Sequence, residues 1–259
     1  MNPHQVTADF EKALCEYTGA KYAVAVNSCT MALFLSLMWC GAKGKTVRVP
    51  KRTYCSVPMQ VIHAGGKVEF TDQEWKGGYS LYPFPIYDFA RRFTSGMYYQ
   101  GTFQCVSFHW SKILGIEQGG AILHDNETAD CWFRQARFDG RQEGIDPKDD
   151  HFSLGWHCYM SPEVAAAGLK RLSILPKDNP DLPNSDYPDL SIQPVFKSDA
   201  RAEYAMKVID DIQAIRSKNN GNWMDILRLA YKHDPENASL IMEKIHSTDA
   251  EISELAGRI

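Results

Sequence analysis

Lys112 stands five residues after Ser107 in the run SFHWSKILGIEQGG, which follows a short apolar segment and closes on a glycine pair. A lysine in a dry pocket or near other positive charge loses part of its proton affinity, and its neutral amine can condense with an aldehyde. On a solvated stem the same residue is an ordinary surface charge. Asp88, in FPIYDFA, follows an apolar run and projects from the end of a buried strand. A carboxylate there needs a cationic partner, either neighbouring Arg91 or Arg92 or the protonated ring nitrogen of a cofactor. In VNSCTMAL an apolar strand runs through Ser28, Cys29 and Thr30 into a helix. Amides and hydroxyls at such a helix start can cradle a phosphate, or Ser28 or Thr30 can simply cap the helix. Tyr54, in PKRTYCS, offers an aromatic face for a flat ring, or a core side chain. A phosphate cup, an aromatic lid, a carboxylate for a ring nitrogen and an aldehyde-binding lysine are together what a pyridoxal 5'-phosphate site requires.

Positioning these residues calls for strands that end at one edge. The runs YAVAVN, TVRVP, KVEF, FPIYD, FQCVSFH and GGAILHD alternate with helical stretches such as TMALFLSLMW, a pattern of crossover units in an α/β fold. Ligands usually sit at the C-terminal ends of such strands. TADFEKALCEYTG reads as a helix capped by Thr7 and stopped at Gly19, and MSPEVAAAGLKRL as one with Ser161 at the N-cap and Pro162 in first position. Prolines then crowd residues 175–197, which predicts an extended arm or linker rather than a packed element. Beyond it the spacing of Ala205, Val208, Ile209, Ile212 and Ile215 predicts a helix. Further helices are expected from Asn222, from Asp234-Pro235, and from Thr248 with Glu251 as a capping box. The expected organisation is therefore 1–174 as a cofactor-binding large domain, 175–197 as the arm and 198–259 as a helical extension for packing or dimer support.

The 259 residues suffice for one full core, and a net charge of -4 leaves no basic excess for nucleic acid. Seven scattered cysteines without a C-x-x-C pair favour neither a disulfide framework nor a zinc site, so no metal is expected. The N-terminus is polar and no apolar run approaches the roughly 18 residues of a membrane span, which predicts a soluble cytoplasmic protein. A dinucleotide-binding reading fails because neither G-x-G-x-x-G nor a Walker loop occurs.

From about Phe10 to Leu172 the ordered segments resemble the DegT/DnrJ/EryC1/StrS family of fold-type-I pyridoxal-phosphate enzymes, best known as nucleotide-sugar aminotransferases. FEKALCEYTGAKYAVAVNSCTMAL is similar to the family's opening with its N-S-G-T loop, and VPKRTYCSVPMQVIHAGGKVEFTD to its next strand, aromatic lid, helix and strand. YDFARR stands where the family has E-D-A-A-Q, SFHWSKILGIEQGG where it has S-F-H-x-x-K, and RFDGR and GWHCYMSPEVAAAGL match R-N-H-G-R and G-Y-N-Y-R-M-S-E-x-x-A-A-x-G-L. The resemblance implies an α/β fold-type-I large domain with a mostly parallel central sheet, here followed by a helical C-terminal extension in place of the usual small domain. It implies an internal aldimine on Lys112, which then shuttles protons, and Asp88 as the carboxylate that keeps the pyridine nitrogen protonated. Cys29 and Thr30, beside Ser28 and helped by Ser107, would bind phosphate, and Tyr54 would stack on the ring. Arg91 replaces the family's Gln, and would either face the cofactor's phenolic oxygen or turn away. His157 replaces the Asn that reaches a partner's phosphate, and Tyr159 replaces the following Arg. The implied activity moves an amino group from an amino acid such as glutamate to a keto sugar or other carbonyl compound, in a homodimer with shared sites. Decarboxylation or isomerisation of an unusual amino substrate, and a non-catalytic cofactor-binding regulatory paralogue, are the alternative expectations.

Overall fold

The segments YAVAV, FQCVS and GAILH are short, β-branched or small and apolar on both faces, as strands buried on both sides must be. The computed structural model describes residues 4–183, 186–197, 210–211, 213–215 and 223–256. It divides into two compact units, Met1–Phe196 and Lys197–Ile259. The first unit contains, in order, α1 (Gln5–Thr18), β1 (Tyr22–Val26), α2 (Cys29–Trp39), β2 (Thr46–Pro50), α3 (Ser56–His63), β3 (Lys67–Thr71), β4 (Tyr79–Ser80), β5 (Ile86–Asp88), β6 (Phe103–Ser107), β7 (Gly120–His124), α4 (Glu127–Arg137) and α5 (Pro162–Leu172).

Five strands form one sheet in the order β1-β7-β6-β5-β4, and β2 pairs with β3 in a second. The fold is α/β, as expected, but the sheet is mixed rather than mostly parallel. Only β5–β6 is parallel in the larger sheet, while β1–β7, β6–β7 and β4–β5 are antiparallel. An apolar run specifies a buried strand but carries no sign for its direction. Because β7 runs against both of its neighbours, β1, β5 and β6 all finish at the same edge. That edge receives Ser28, Asp88 and Ser107.

Alternation along the strands divides the core. Val24, Val26, Cys105 and Ile122 pack on one face with α2 residues such as Leu33 and Leu37 and with α4 residue Phe133. Ala23, Ala25, Val106, Ala121 and Leu123 pack on the other with Phe10 and Leu14 of α1 and Ala165 of α5. A Cβ at Gly168 would come within 2.6 Å of the Phe10 ring, so glycine there lets α5 approach α1.

Helix ends follow the expected chemistry with one correction. Gly19 takes φ 82 and closes α1, and Ser161 accepts from Val164 N at the start of α5 with Pro162 following. Thr7, expected as the first cap, lies inside α1 and is buried. The cap position is His4.

The described residues of the proline-rich arm include 3-10 turns over Leu190–Ile192 and Pro194–Phe196, and they are packed, contrary to expectation. Pro176 O accepts from Tyr17 OH at 2.5 Å, Lys177 O from Ser95 N at 2.9 Å, and Leu182 N donates to Arg91 O at 2.9 Å. Arg92 holds Asp181 through Nε at 2.9 Å and Nη2 at 2.6 Å, and Leu190 N donates to Lys51 O at 2.8 Å. Leu190, in a 3-10 turn over Leu190–Ile192, is buried. Replacing Asp181 by Ala removes a bidentate, half-buried pair worth on the order of 1–2 kcal/mol. Proteolysis within residues 176–196 is therefore expected to accelerate roughly fivefold to thirtyfold, measured by peptide release; an unchanged rate would show that the other contacts hold the arm unaided.

In the second unit residues 223–233 are helical, and α6 (Pro235–Ala256) is a single helix of 22 residues. Asp234 caps it by accepting from Asn237 N at 3.2 Å. Thr248 and Glu251 lie within this helix and start no new one. Ala205, Val208, Ile209, Ile212 and Asn222 lie outside the described residues. Among the described residues no helix is long and apolar enough to cross a membrane.

Candidate active site

The common edge of β1, β5 and β6 opens into a cavity of about 450 Å3 lined by residues from six segments. This is within the ordinary range for a small-molecule site. Ser28, Cys29, Thr30, Tyr54, Asp88, Arg91, Ser107 and Lys112, all expected from the sequence, line it. His157 does not: its ring is exposed, meets Asp139 Oδ2 at 2.8 Å through Nδ1 and packs on Tyr159.

One side of the cavity is a cup of donors. Ser28 is the N-cap of α2, its Oγ accepting from Met31 N at 3.2 Å. The amides of Cys29 and Thr30 then lie outside the helical hydrogen-bond ladder, where the positive end of the helix favours an anion. Thr30 Oγ1 lies 3.0 Å from Ser56 Oγ at the start of α3, which adds a hydroxyl that the sequence reading did not include. The capping and phosphate-cup readings of this stretch are thus compatible, since different atoms serve each. The glycine pair after Lys112 is part of the same construction. A Cβ on Gly120 would fall 2.4 Å from Cys29 N and 2.6 Å from Ser28 C, so only glycine lets β7 run directly beneath the cup.

Asp88 lines the same cavity, buried at the end of β5. Its Oδ1 accepts from Ala90 N at 2.9 Å and its Oδ2 from Tyr79 OH at 2.8 Å. Burial pushes its carboxyl above the usual range, while those two donors and Lys112 pull it back. Neither neighbouring arginine is its partner. Arg92 binds Asp181, and Arg91 donates from Nη2 to Pro183 O and from Nη1 toward Tyr187 OH at 3.5 Å. Cys29 aims its thiol at Asp88 Oδ1, 4.0 Å away, so this residue's contribution to an anion is its amide. Burial raises that thiol well above its ordinary value and keeps it protonated.

Lys112 sits in a turn whose amide donates to His109 O at 2.8 Å, with its side chain half-buried at the cavity wall. Burial and the Arg91 charge lower its ammonium from the ordinary lysine value, against the opposing effects of Asp88 and Cys29. Such an environment increases the share of neutral, nucleophilic amine relative to a solvated lysine. Arg91 Nε is buried at the same wall without a hydrogen-bond partner. The donor set therefore suits a group with a phosphate on one side and a basic aromatic nitrogen on the other, with an aldehyde within reach of an amine.

Thr53, Trp75, Gln118 and Tyr187 also line the cavity and were not singled out from the sequence. Tyr187 comes from the arm, where its ring stacks on Trp75 with centroids 6.2 Å apart. Its proximity is a tertiary fact with no local signal, whereas Ser56 was findable as a hydroxyl at the start of a helix next to Tyr54.

Residues 3–78 match the model of the DegT/DnrJ/EryC1/StrS aminotransferase family, the family that the motifs resemble. Among curated proteins, a UDP-4-amino-4,6-dideoxy-N-acetyl-beta-L-altrosamine transaminase of Campylobacter jejuni is 26% identical over 211 residues, covering 64% of this chain and 56% of its own length. The chain thus spans a little over half the length of this relative. Among solved structures, a DegT DnrJ EryC1 StrS aminotransferase from Brucella abortus aligns with a TM-score of 0.53 at 22% identity, over 66% of this chain and 58% of that one. The Bacillus subtilis protein ntda, solved with bound cofactor PMP, aligns with a TM-score of 0.56 at 21% identity, over 66% and 48%. These likenesses show a shared fold over about two thirds of this chain.

Proposed function

From this kinship with the DegT/DnrJ/EryC1/StrS aminotransferases, we propose that the chain is a pyridoxal-phosphate-dependent aminotransferase. In this reading it moves an amino group from an amino acid, glutamate being the expected donor, to a keto sugar or related carbonyl compound. The observation that carries the reading is Lys112 and Asp88 facing one cavity whose third side is the amide and hydroxyl cup of Ser28–Thr30 and Ser56. When bound, pyridoxal phosphate supplies the electron sink for reactions at the carbon bearing the amine.

The chain's own residues do the rest. The amides of Cys29 and Thr30, with the hydroxyls of Thr30, Ser56 and Ser107, would bind the phosphate. Asp88 would hold the proton of the ring nitrogen, while Tyr54 and Trp75 contribute aromatic faces at the cavity. Lys112 Nζ would hold the aldehyde end of the group and would serve as the base that takes and returns a proton at the substrate carbon. Arg91, bonded to the arm, adds to burial in shifting Lys112 toward its more reactive neutral form. Residues 1–174 thus act as the cofactor-binding domain, with 175–197 as an arm that closes one wall and 198–259 as a helical extension. A homodimer in the cytoplasm completes the proposal. His157, exposed and away from the cavity of its own chain, is the residue offered to the second copy.

The test is to purify the full chain with pyridoxal phosphate, reduce it with borohydride and map the labelled peptide. A phosphopyridoxyl group on Lys112, with glutamate converted stoichiometrically to its keto acid, is the expected result. A labelled Lys112 with a spectral response to amino acids but no keto acid would transfer support to decarboxylation or isomerisation. Absence of label on every lysine would end the reading.

A further inference from the structure

Asp88 is oriented from behind by a buried hydroxyl pair that belongs to neither the cup nor the lysine turn. Tyr79 and Asp88 face each other in the register of the antiparallel pair β4–β5, and Tyr79 OH lies 2.8 Å from Asp88 Oδ2. A phenol has one proton, and a carboxylate can only accept it. The Tyr79 oxygen is therefore free to accept from Thr53 Oγ1, which lies 2.5 Å away in the loop between β2 and α3. Thr53 is 1% exposed and Tyr79 is 3% exposed, so no solvent competes for these bonds. The Tyr79 ring is held in place by the edge-on ring of Trp75, 4.9 Å between centroids.

We propose that Thr53 and Tyr79 form a hydrogen-bond relay that orients Asp88 and keeps it charged, making both positioning residues for the proton on the cofactor's ring nitrogen. The inference rests on the role given to Asp88 above. Ala90 N serves Oδ1, so Tyr79 is the donor that holds Oδ2, and together they fix the plane of the carboxylate. The other titratable groups facing Asp88 are Lys112 across the cavity, Cys29 from α2 and Cys105 from β6. Burial raises both thiols, which leaves them neutral. Removing the Tyr79 donor must therefore make the carboxylate easier to protonate, because a hydrogen bond to the charged form favours that form.

The test begins with the cofactor-free full chain labelled with 13C at aspartate carboxyls, the Asp88 signal being assigned by its loss in Asp88→Asn. In Tyr79→Phe, which keeps the ring and its packing, the Asp88 titration midpoint is expected to rise by about one pH unit, a roughly tenfold change in acidity. Thr53→Val should move it in the same direction by less, and it decides the matter if Tyr79→Phe does not fold. With 15N-labelled pyridoxal phosphate bound, the ring nitrogen of either variant should lose its proton at lower pH than in the parent protein. An Asp88 midpoint unmoved in both variants would overturn the relay and show that the pair serves stability alone. This titration needs no cofactor, so a chain that fails to bind pyridoxal phosphate would sink the proposed function without deciding the relay.

Discussion

Lys112→Ala is expected to lose the borohydride-stable label entirely and to lower transamination by roughly 10⁴-fold or more. In the proposed function one side chain supplies both the covalent anchor and the proton transfer, and the second role alone is worth about 10²–10⁴. The fold should survive, because the side chain is half-buried in a turn held by the Lys112 N to His109 O bond, which alanine retains. Small primary amines added to the variant should restore part of the proton-transfer rate, since the cavity that held the lysine stem is left open. The pH dependence follows from the same environment. Burial and Arg91 lower the Lys112 ammonium, so its neutral fraction at a given pH below the ordinary lysine value of 10.5 exceeds that of a solvated lysine. Attachment of pyridoxal phosphate should accordingly persist below that range and fade as pH falls through the lowered value. Arg91→Gln should shift the profile upward, because one of the two causes of the lowering is gone. A Lys112→Ala protein retaining more than about one hundredth of parental turnover would exclude the lysine as the reacting base.

The parts of the site that were legible in the sequence share a property: their chemistry follows from neighbours a few residues away. Asp88 and Ser107 end apolar strands, Ser28 begins a helix, and Lys112 lies in a turn next to the second of these strands. What was not legible depends on chain segments that meet only after folding. Tyr79 meets Thr53 across 26 residues and Tyr187 meets Arg91 across 96, and neither tyrosine carries a local pattern distinguishing it from a core or surface aromatic. The arm illustrates the same limit. Proline content predicts an arm without long helices or strands, but the arm's packing is made by Tyr17, Ser95 and Arg92, whose positions composition cannot supply. The mixed sheet has a related cause, since strand direction is set by how connections cross rather than by the apolar run itself. His157 was placed by motif alone. In the structure its backbone bridges Phe138 while its ring turns to Asp139, outside the cavity.

Glu11→Ala is expected to cost about 3–5 kcal/mol of stability, although Glu11 is far from the chemistry. β1 is the edge strand of the larger sheet, paired with β7 on one side and bridged on the other at its end, where Val26 meets Tyr159, so the rest of that outer edge would present unpaired amides and carbonyls. Side chains cover that edge. Glu11 Oε1 accepts from Ala25 N at 2.8 Å, Arg137 Nη1 donates to Ala25 O at 2.6 Å, and Arg134 Nη2 donates to Ala23 O at 3.2 Å. Glu11 also holds Arg137 through Oε1 and Arg134 Nη1 through Oε2 at 2.6 Å. Arg137 is only 1% exposed, so deleting Glu11 leaves a buried guanidinium with Glu143 as its remaining carboxylate and strips the Ala25 amide of its acceptor. Arg134 keeps Asp130 at 2.7 Å, which places the expected cost toward the lower end of that range. Urea unfolding should show a lower midpoint with an unchanged slope. Glu11→Met combined with Arg137→Met should recover much of the loss, because the unpaired charge is then gone. The consequence reaches the cavity, since the strand that Glu11 anchors at Ala25 leads within three residues to Ser28 and the cup. A Glu11→Ala protein should therefore also hold pyridoxal phosphate more weakly at temperatures where it remains folded. Equal affinity in that regime would mean that the hydrogen bond from Asn27 N to Cys158 O, at 2.8 Å, holds the strand's end by itself.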